Sequence, residues 1–589
     1  MLLARLTEYS EQLGGSLPPE FYRPKQIHWI LHVKEDGSGA GLVSRRPPPK
    51  ARDQALITPV PYVQRSGTKV PPYLLVDTAE FVLGRAKNAT HPDGPSPKDE
   101  EEAQRRHAAY RDLALRWAQG EPDNPSAIAL RAFLAAGGLP KQQHPEDLDA
   151  KDTVAIMVGT HWLHEDPSVQ RVWSQVARER KGGAGQRGLC LICGTLGDLL
   201  ATIPEPVKKG AIPTTGGSNE GQLISINTSA QGRDGATQLA NTPVCDRCGQ
   251  QAMSTLNHLL ASDTNRRRFP DSVMVWWTRT SADDSPMALL YQDQPDPAAV
   301  SHLIEAFRQR PSSAAADRVD PNDFYALTLG LNNARIVVRE WLEVPLEDLK
   351  VNVGAWYLDH GVHDGWTGQS RYVPLWLLAL SAGRHDGDRY VKDSAPHGLE
   401  ADLARCALRR TPPPARLLPS LLQRIRADHH IDAPRVALLR LILNRSADPK
   451  DHLMPTLDLS SGDPAYLCGR AFAVLEAVQR TAMRDVNTTI RDKHFSAAVT
   501  APGVVLTQLR IGANAHLKRL RRDRPAAGSA LESRLSEVFS AFRDDIPLHL
   551  TPREQGRFVI GYEQQRAADR AAAKSHSTPG KSTDPDPEP

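Results

Sequence analysis

Two cysteine pairs, Cys190-Leu-Ile-Cys193 and Cys245-Asp-Arg-Cys248, constrain this chain more than any other feature in it. Six cysteines in 589 residues are too few for two C-x-x-C pairs to be an expected accident. A two-residue spacer lets both thiolates of a pair turn onto one ion. Two such knuckles complete a tetrahedral four-sulfur shell with no position open for substrate. The pattern predicts a structural zinc ion, Zn2+, held by Cys190, Cys193, Cys245 and Cys248. Residues 194–244 make a longer spacer than usual, but loop closure grows only logarithmically, so tripling a loop costs about 1 kcal/mol. Zinc binding in such sites contributes about 10–16 kcal/mol. A redox dithiol, a disulfide or unpaired thiols are the alternatives. Cys406 and Cys468 stand alone in apolar helical stretches and read as core.

With 72 Lys and Arg against 69 Asp and Glu, the net charge is only +3, so any nucleic-acid surface has to come from local clustering. The opening Met1-Leu-Leu-Ala-Arg-Leu-Thr-Glu8 reaches charge too soon for a signal peptide. The most apolar run, Val373 to Leu380, is far shorter than the roughly 20 residues a membrane helix needs. The expectation is a cytoplasmic protein with reduced thiols and no membrane partner.

Leu2 to Leu13 predicts an amphipathic helix. From Gln26 to Val33, Ile27, Trp29, Leu31 and Val33 alternate inward along a strand, and Asp36-Gly37 supplies a hairpin turn. A loop rich in Pro, Lys and Arg runs from Arg45 to Pro72, the apolar stretch from Tyr73 follows to Gly84, and Lys87 to Arg106 reads as an exposed excursion. Helices are expected to about Arg180. The cysteine pairs bracket a segment dense in Gly, Thr, Ser and Asn that ends in a strand-like Leu223-Ile-Ser-Ile226. Ser272 to Thr280 and Ala334 to Trp341 read as strands, and from Ala401 the pattern turns helical. Asp463-Pro464 caps a helix along which Leu467, Ala471, Val474, Val478 and Ala482 recur, followed by helices over Val504 to Leu520 and Ser529 to Phe542.

The fold class is therefore α+β: a mixed α/β N-terminal body with a zinc-knuckle insertion, then a C-terminal helical bundle able to stand alone. The expected divisions are an N-terminal α+β domain at 1–185, the four-cysteine zinc-binding and Gly/Ser-rich segment at 186–265, and a central mixed region at 266–400. A helical connector at 401–453, the bundle at 454–571 and a disordered tail at 572–589 complete the chain.

Several stretches resemble the large subunit of the type I-C CRISPR surveillance complex, Cascade. They are the N-terminal helix and hairpin, Leu75-Val-Asp-Thr-Ala-Glu-Phe-Val-Leu-Gly84, Leu223-Ile-Ser-Ile-Asn227, Leu331-Asn-Asn-Ala-Arg335 and Leu422-Gln-Arg-Ile-Arg-Ala-Asp428. The most specific are Asp463-Pro-Ala-Tyr-Leu-Cys-Gly-Arg-Ala-Phe-Ala-Val-Leu-Glu476, Asn487-Thr-Thr-Ile-Arg-Asp-Lys493 and Glu554-Gln-Gly-Arg-Phe-Val-Ile-Gly-Tyr562. The resemblance implies a non-catalytic, crRNA-guided subunit that recognises the protospacer-adjacent motif in double-stranded DNA, supports the R-loop and recruits a helicase-nuclease. It implies crRNA-bearing Cascade subunits, target DNA and its displaced strand as partners. Type I-C genes also make a small subunit by internal initiation, and Met454 resembles such a start, unless it is a core residue before the cap. The zinc reading rests on cysteine spacing and not on this resemblance.

Residues suited to that work cluster in three places. Lys518, Arg521 and Arg522 share a helical face at i, i+3 and i+4, with Arg510, Asn514 and His516 in preceding turns and Arg491 and Lys493 nearby. Such cations neutralise phosphates and make binding steeply salt-dependent. In the sequence Arg65-Ser-Gly-Thr-Lys-Val-Pro-Pro72, Arg65, Ser66, Thr68 and Lys69 offer donors on a bounded loop that can enter a groove, although this loop departs from the family's common form. Lys208 and Lys209, with Gly216-Gly-Ser-Asn219, can approach a backbone closely.

Other patterns imitate active sites. His161 to Glu165, Asp359-His360 with His363-Asp364, and Asp428 to Asp432 each combine imidazole and carboxylate, as a metal-dependent nuclease would need, but read as surface or structural histidines. Gly580-Lys581-Ser582 lacks the earlier glycine and preceding strand of a phosphate-binding loop. The alternatives are thus a metal-dependent nuclease and an autonomous zinc-ribbon DNA-binding protein.

Overall fold

A computed structural model describes residues 2–48, 55–65, 70–91, 93–214, 220–282, 285–308, 322–333, 335–483, 488–543 and 545–577, giving the backbone alone at 182–186, 306–308 and 575–577. The chain divides into two units, residues 1–281 with 325–343, and residues 282–324 with 344–589.

The first unit opens on α1 (Leu2–Leu13), as expected. Strand β1 (Tyr22–Gln26) stops two residues before β2 (Trp29–Val33), and β2 turns at Asp36-Gly37 into β3 (Ala40–Ser44), pairing Val33 with Ala40. Gly37 has φ of 71°, and a Cβ there would lie 2.5 Å from the Ala129 carbonyl, so both backbone and packing demand glycine. The expected loop over 45–72 contains a strand, β4 (Ile57–Pro61), antiparallel to β1. After β5 (Val76–Thr78) and α2 (Ala79–Val82), the expected excursion shortens: Ser96 and Asp99 form a capping box that starts α3 at Pro97, running to Gly120.

Helix α4 (Pro125–Ala135) is followed by a strand where only helix was expected, β6 (Thr153–Val158), with β7 (His161–Trp162) beside it. Strand β6 is central in the sheet β3-β2-β6-β5 and parallel to β2 in register Trp29 to Val154. Being buried on both faces, it reads as a continuous apolar run without period-two alternation. Trp29, Leu31 and Val33 pack with Trp117, Leu130 and Trp173 on one face; Ile27 and Ile30 pack with Val60, Val76 and Ala155 on the other.

Helix α5 (Pro167–Lys181) leads into the hairpin β8 (Gly182–Leu189) and β9 (Leu196–Leu200), then α6 (Asp246–Ala261). The strand expected at Leu223–Ile226 does not form; only Gly221 and Gln222 make isolated bridges, to Val207 and Arg335. Strands β10 (Arg266–Phe269), β11 (Ser272–Thr278), β12 (Asp323–Asn332) and β13 (Arg335–Pro345) form a second sheet in that order. Helices α1 and α6 share its core, in which Leu3, Leu6, Leu256, Val273, Trp277 and Tyr325 are buried.

The second unit is largely helical. It holds α7 (Met287–Leu290), α8 (Pro297–Arg308), α9 (Leu346–His360), the short pair β14 (Val362–His363) and β15 (Ser370–Arg371), α10 (Leu375–Ser381) and α11 (Leu399–Arg409). Helices α12 (Leu417–Asp428) and α13 (Ala433–Asn444) precede α14 (Pro464–Ala482), whose cap is Asp463 accepting from the Tyr466 amide. Then come α15 (Ile490–Thr500), α16 (Pro502–Asp523), α17 (Pro525–Ser540) and α18 (Pro552–Ser577), which runs past 572, where a tail was expected. Helix α18 packs along α14 and also touches α12 and α13, so the C-terminal helices share their core with the preceding ones. Cys406 and Cys468 are buried as expected. Gly580 to Ser582 lie outside the described residues.

Candidate metal centre and nucleic-acid interface

Strands β8 and β9 end in a turn that carries both cysteines of the first pair. Cys190 accepts from the Ile192 amide at 3.4 Å, its carbonyl accepts from Gly194 at 2.9 Å, and Gly194 takes a left-handed φ of 70°. Cys245 is the N-cap residue of α6 and Cys248 lies in its first turn. The Cys245 amide also donates to Cys190 Sγ at 3.4 Å. All four sulfurs lie within 4.8 Å of one another. Zn–S bonds of about 2.3 Å in a tetrahedron put sulfurs about 3.8 Å apart. Cys193 and Cys245 stand at 3.9 Å. This donor set fits a closed four-thiolate zinc site. The Thr195 hydroxyl holds the exposed Cys193 thiol down to about 6, whereas burial pushes Cys245 up to about 11 and Cys248 higher. Ligation therefore has to displace protons that burial holds on two of the sulfurs.

The base of the same hairpin lines a polar cavity of about 620 Å³ in the first unit. Lys181, the last residue of α5, accepts through its carbonyl from Ala201 just beyond β9, while the Leu200 amide donates to Val244 beside the second cysteine pair. An ion at the tip would thus fix one wall of the cavity. Gln222, Asn227, Gln238, Asn332 and Arg335 line the rest. Two stretches that carried the resemblance, Leu223 to Asn227 and Leu331 to Arg335, meet here, although they are far apart in the chain.

Over residues 4–569 the chain matches the family described as CRISPR-associated protein (Cas_Csd1). The chain belongs to the Cas_Csd1 family. No curated protein matches it.

In this Cas_Csd1 member the three expected cationic clusters fare differently. Arg65 turns inward: its guanidinium stacks 3.4 Å from the Tyr73 ring centre and pairs with Asp77, which is fully buried and also accepts from the Tyr73 amide at 2.8 Å. Ser66, Thr68 and Lys69 lie outside the described residues, as do residues 215–219. Lys208 is half-buried, with its amide donating to Asn257 Oδ1 at 3.2 Å, while Lys209 is exposed. Burial lowers the Lys208 amine despite the opposing charge of Glu205.

On α16 Lys518, Arg521, Arg522 and Asn514 are exposed. Arg521 pairs with Glu532, Arg522 with Asp523 at 2.8 Å, and Arg510 lies 4.8 Å over the Phe539 ring. His516 falls on another side: at 100° per residue it stands about 160° from Lys518. Arg491 donates to the His429 carbonyl at 2.9 Å and Lys493 is exposed.

The histidine clusters have other occupations. His164 and His360 are fully buried, and burial takes them down to about 4 and about 3. His430 stacks on His385 at 3.5 Å and contacts Asp432 at 3.1 Å. Asp359 pairs with Arg445 and Asp428 with Arg435. Among the described residues the four cysteines form the one group of three or more side chains placed to hold a metal. No helix among them is long and apolar enough to cross a membrane.

Proposed function

We propose that this chain is the non-catalytic large subunit of a crRNA-guided, type I-C interference complex in the cytoplasm. It recognises the protospacer-adjacent motif in duplex DNA, supports the R-loop by holding the displaced strand, and recruits the helicase-nuclease, while crRNA-bearing Cascade subunits deliver sequence through base pairing. The observation that carries this reading is family membership over residues 4–569. The amide-lined cavity supports it with donors and acceptors of the kind that read base edges, and exposed Lys493 and Lys518 with cations for phosphate. Zinc on the four cysteines serves structure.

Met454 is 60% exposed, so core packing gives no reason for it, in keeping with its use as the start of a small subunit from the same gene. Met454→Leu should abolish a short C-terminal product while leaving the full chain.

The test is binding of the assembled complex to target duplexes with the flanking base pairs varied, with divalent metal present. Binding that depends on those base pairs, with no cleavage until the helicase-nuclease is added, is expected. Equal binding whatever the flank rejects motif recognition. Metal-dependent cutting by the complex alone, lost in His363→Ala, favours a nuclease instead. Tight duplex binding by the isolated chain without crRNA favours an autonomous zinc-ribbon protein.

A further inference from the structure

Lys181 presents an unusual electrostatic situation. Its residue exposure is 6%, and the one hydrogen bond its ammonium makes among the described residues is a long one, 3.5 Å from Nζ to Thr202 Oγ1. No carboxylate pairs with it there, and residues 182–186 and 215–219, whose side chains are not described, include no Asp or Glu. Burial alone brings its amine down to about 8. A buried ammonium without a counter-charge is costly, and its neighbourhood is a cavity of about 620 Å³, within the roughly 300–1,000 Å³ range of small-ligand sites. An anion is the chemistry that completes it.

The amides on the cavity wall narrow the choice of anion. Asn227 Oδ1 already accepts from Ser225 Oγ at 3.1 Å and from Gln238 Nε2 at 3.3 Å, which leaves its Nδ2 hydrogens to donate to a ligand. Gln222 Nε2 is committed to Gln64 Oε1, which leaves Gln222 Oε1 to accept. A simple oxyanion offers such an acceptor no hydrogen beyond the hydroxyl that phosphate itself retains. A nucleobase edge carries both donor and acceptor groups.

We infer that this cavity binds one unpaired nucleotide of a nucleic-acid strand, with its phosphate on Lys181 and its base edge on Asn227 and Gln222. The inference rests on the nucleic-acid role proposed above, yet it is tested without guide, duplex or partner subunits, so the two fail separately.

The full chain is titrated with each 2′-deoxynucleoside 5′-monophosphate, each ribonucleotide counterpart and inorganic phosphate, followed by calorimetry or saturation-transfer NMR. At least one nucleotide should bind about tenfold or more tighter than inorganic phosphate, and preference between the sugar series identifies DNA or RNA as the source. Lys181→Met should weaken that binding about tenfold or more and leave the thermal midpoint unchanged or higher, because it removes an uncompensated buried cation. Asn227→Leu should erase base preference while phosphate still competes, and it serves alone if Lys181→Met does not fold. No nucleotide binding tighter than phosphate, or binding untouched by both substitutions, overturns the inference.

Discussion

Arg557 donates through Nη1 to Asp451 Oδ1 at 2.6 Å, tying α18 to the turn that precedes Met454. Asp451 is fully buried and also pairs with Arg553. Burial alone would raise its carboxyl, but hydrogen bonds from Arg553, Ser446 and Arg557 outweigh that and hold it below the usual range. Asp451→Asn should therefore destabilise the second unit by about 3 kcal/mol near neutral pH. Because the folded-state pKa is depressed, the contribution is present above the unfolded value of about 3.9 and lost as pH falls through the folded one. Denaturant unfolding of both proteins should converge progressively as pH falls below about 3.9. A polypeptide begun at Met454 lacks Asp451, leaving Arg557 with Asp463 at 3.2 Å and Glu554 at 3.9 Å, so residues 454–589 alone should unfold at lower denaturant than within the full chain.

Helices α14 and α18 approach closely at two glycines. A Cβ on Gly469 would lie 2.0 Å from the Phe558 carbonyl oxygen, and one on Gly561 2.3 Å from that of Tyr466. Both obstacles are backbone and cannot rotate away. Gly469→Ala and Gly561→Ala should each cost about 3 kcal/mol or more by forcing the helices apart, against about 1 kcal/mol gained from helix propensity. Thermal melts of the single variants check this, and stability at or above wild type would contradict the packing.

About one zinc per purified chain should appear in elemental analysis, and Cys248→Ser should remove it. Acidification should release the metal, since protons compete for sulfurs whose pKa burial raises. The same substitution should loosen the β8–β9 hairpin and with it the cavity wall that includes Thr202. Hydrogen exchange over 182–203 reads that loosening, and zinc retained by Cys248→Ser would exclude the four-sulfur site.

On α16 the cations differ in availability. Lys518 is exposed, while Arg521 is engaged by Glu532. If α16 faces phosphates, Lys518→Ala should reduce the slope of log affinity against log salt by about 0.7–0.9, one phosphate's worth. Arg521→Ala should change it less, because Glu532 already neutralises that guanidinium. A slope unchanged by Lys518→Ala removes the helix from the interface.

Local signals were legible wherever one short stretch carries the physics. Leu2 to Leu13, the Asp36-Gly37 hairpin, the Asp463 cap and the cysteine knuckles all appear as read. Strand β6 escaped because burial on both faces erases the alternation that marks a strand. The start of α3 was written in Ser96 and Asp99, a capping pair hidden among charged residues. The inward fold of Arg65 depends on Asp77, and no local pattern announces that this carboxylate is buried.

Composition and spacing by themselves determined that the chain is α+β, that four thiols converge, and that the α14 stretch is helical, because each follows from bonds and periodicities within a few residues. Only the tertiary structure decided that Lys181, Gln222, Asn227 and Arg335 share one cavity and that Asp451 anchors α18. Those relationships join segments separated by tens to hundreds of residues. Desolvation, which makes a buried charge consequential, exists only once the chain has closed around it.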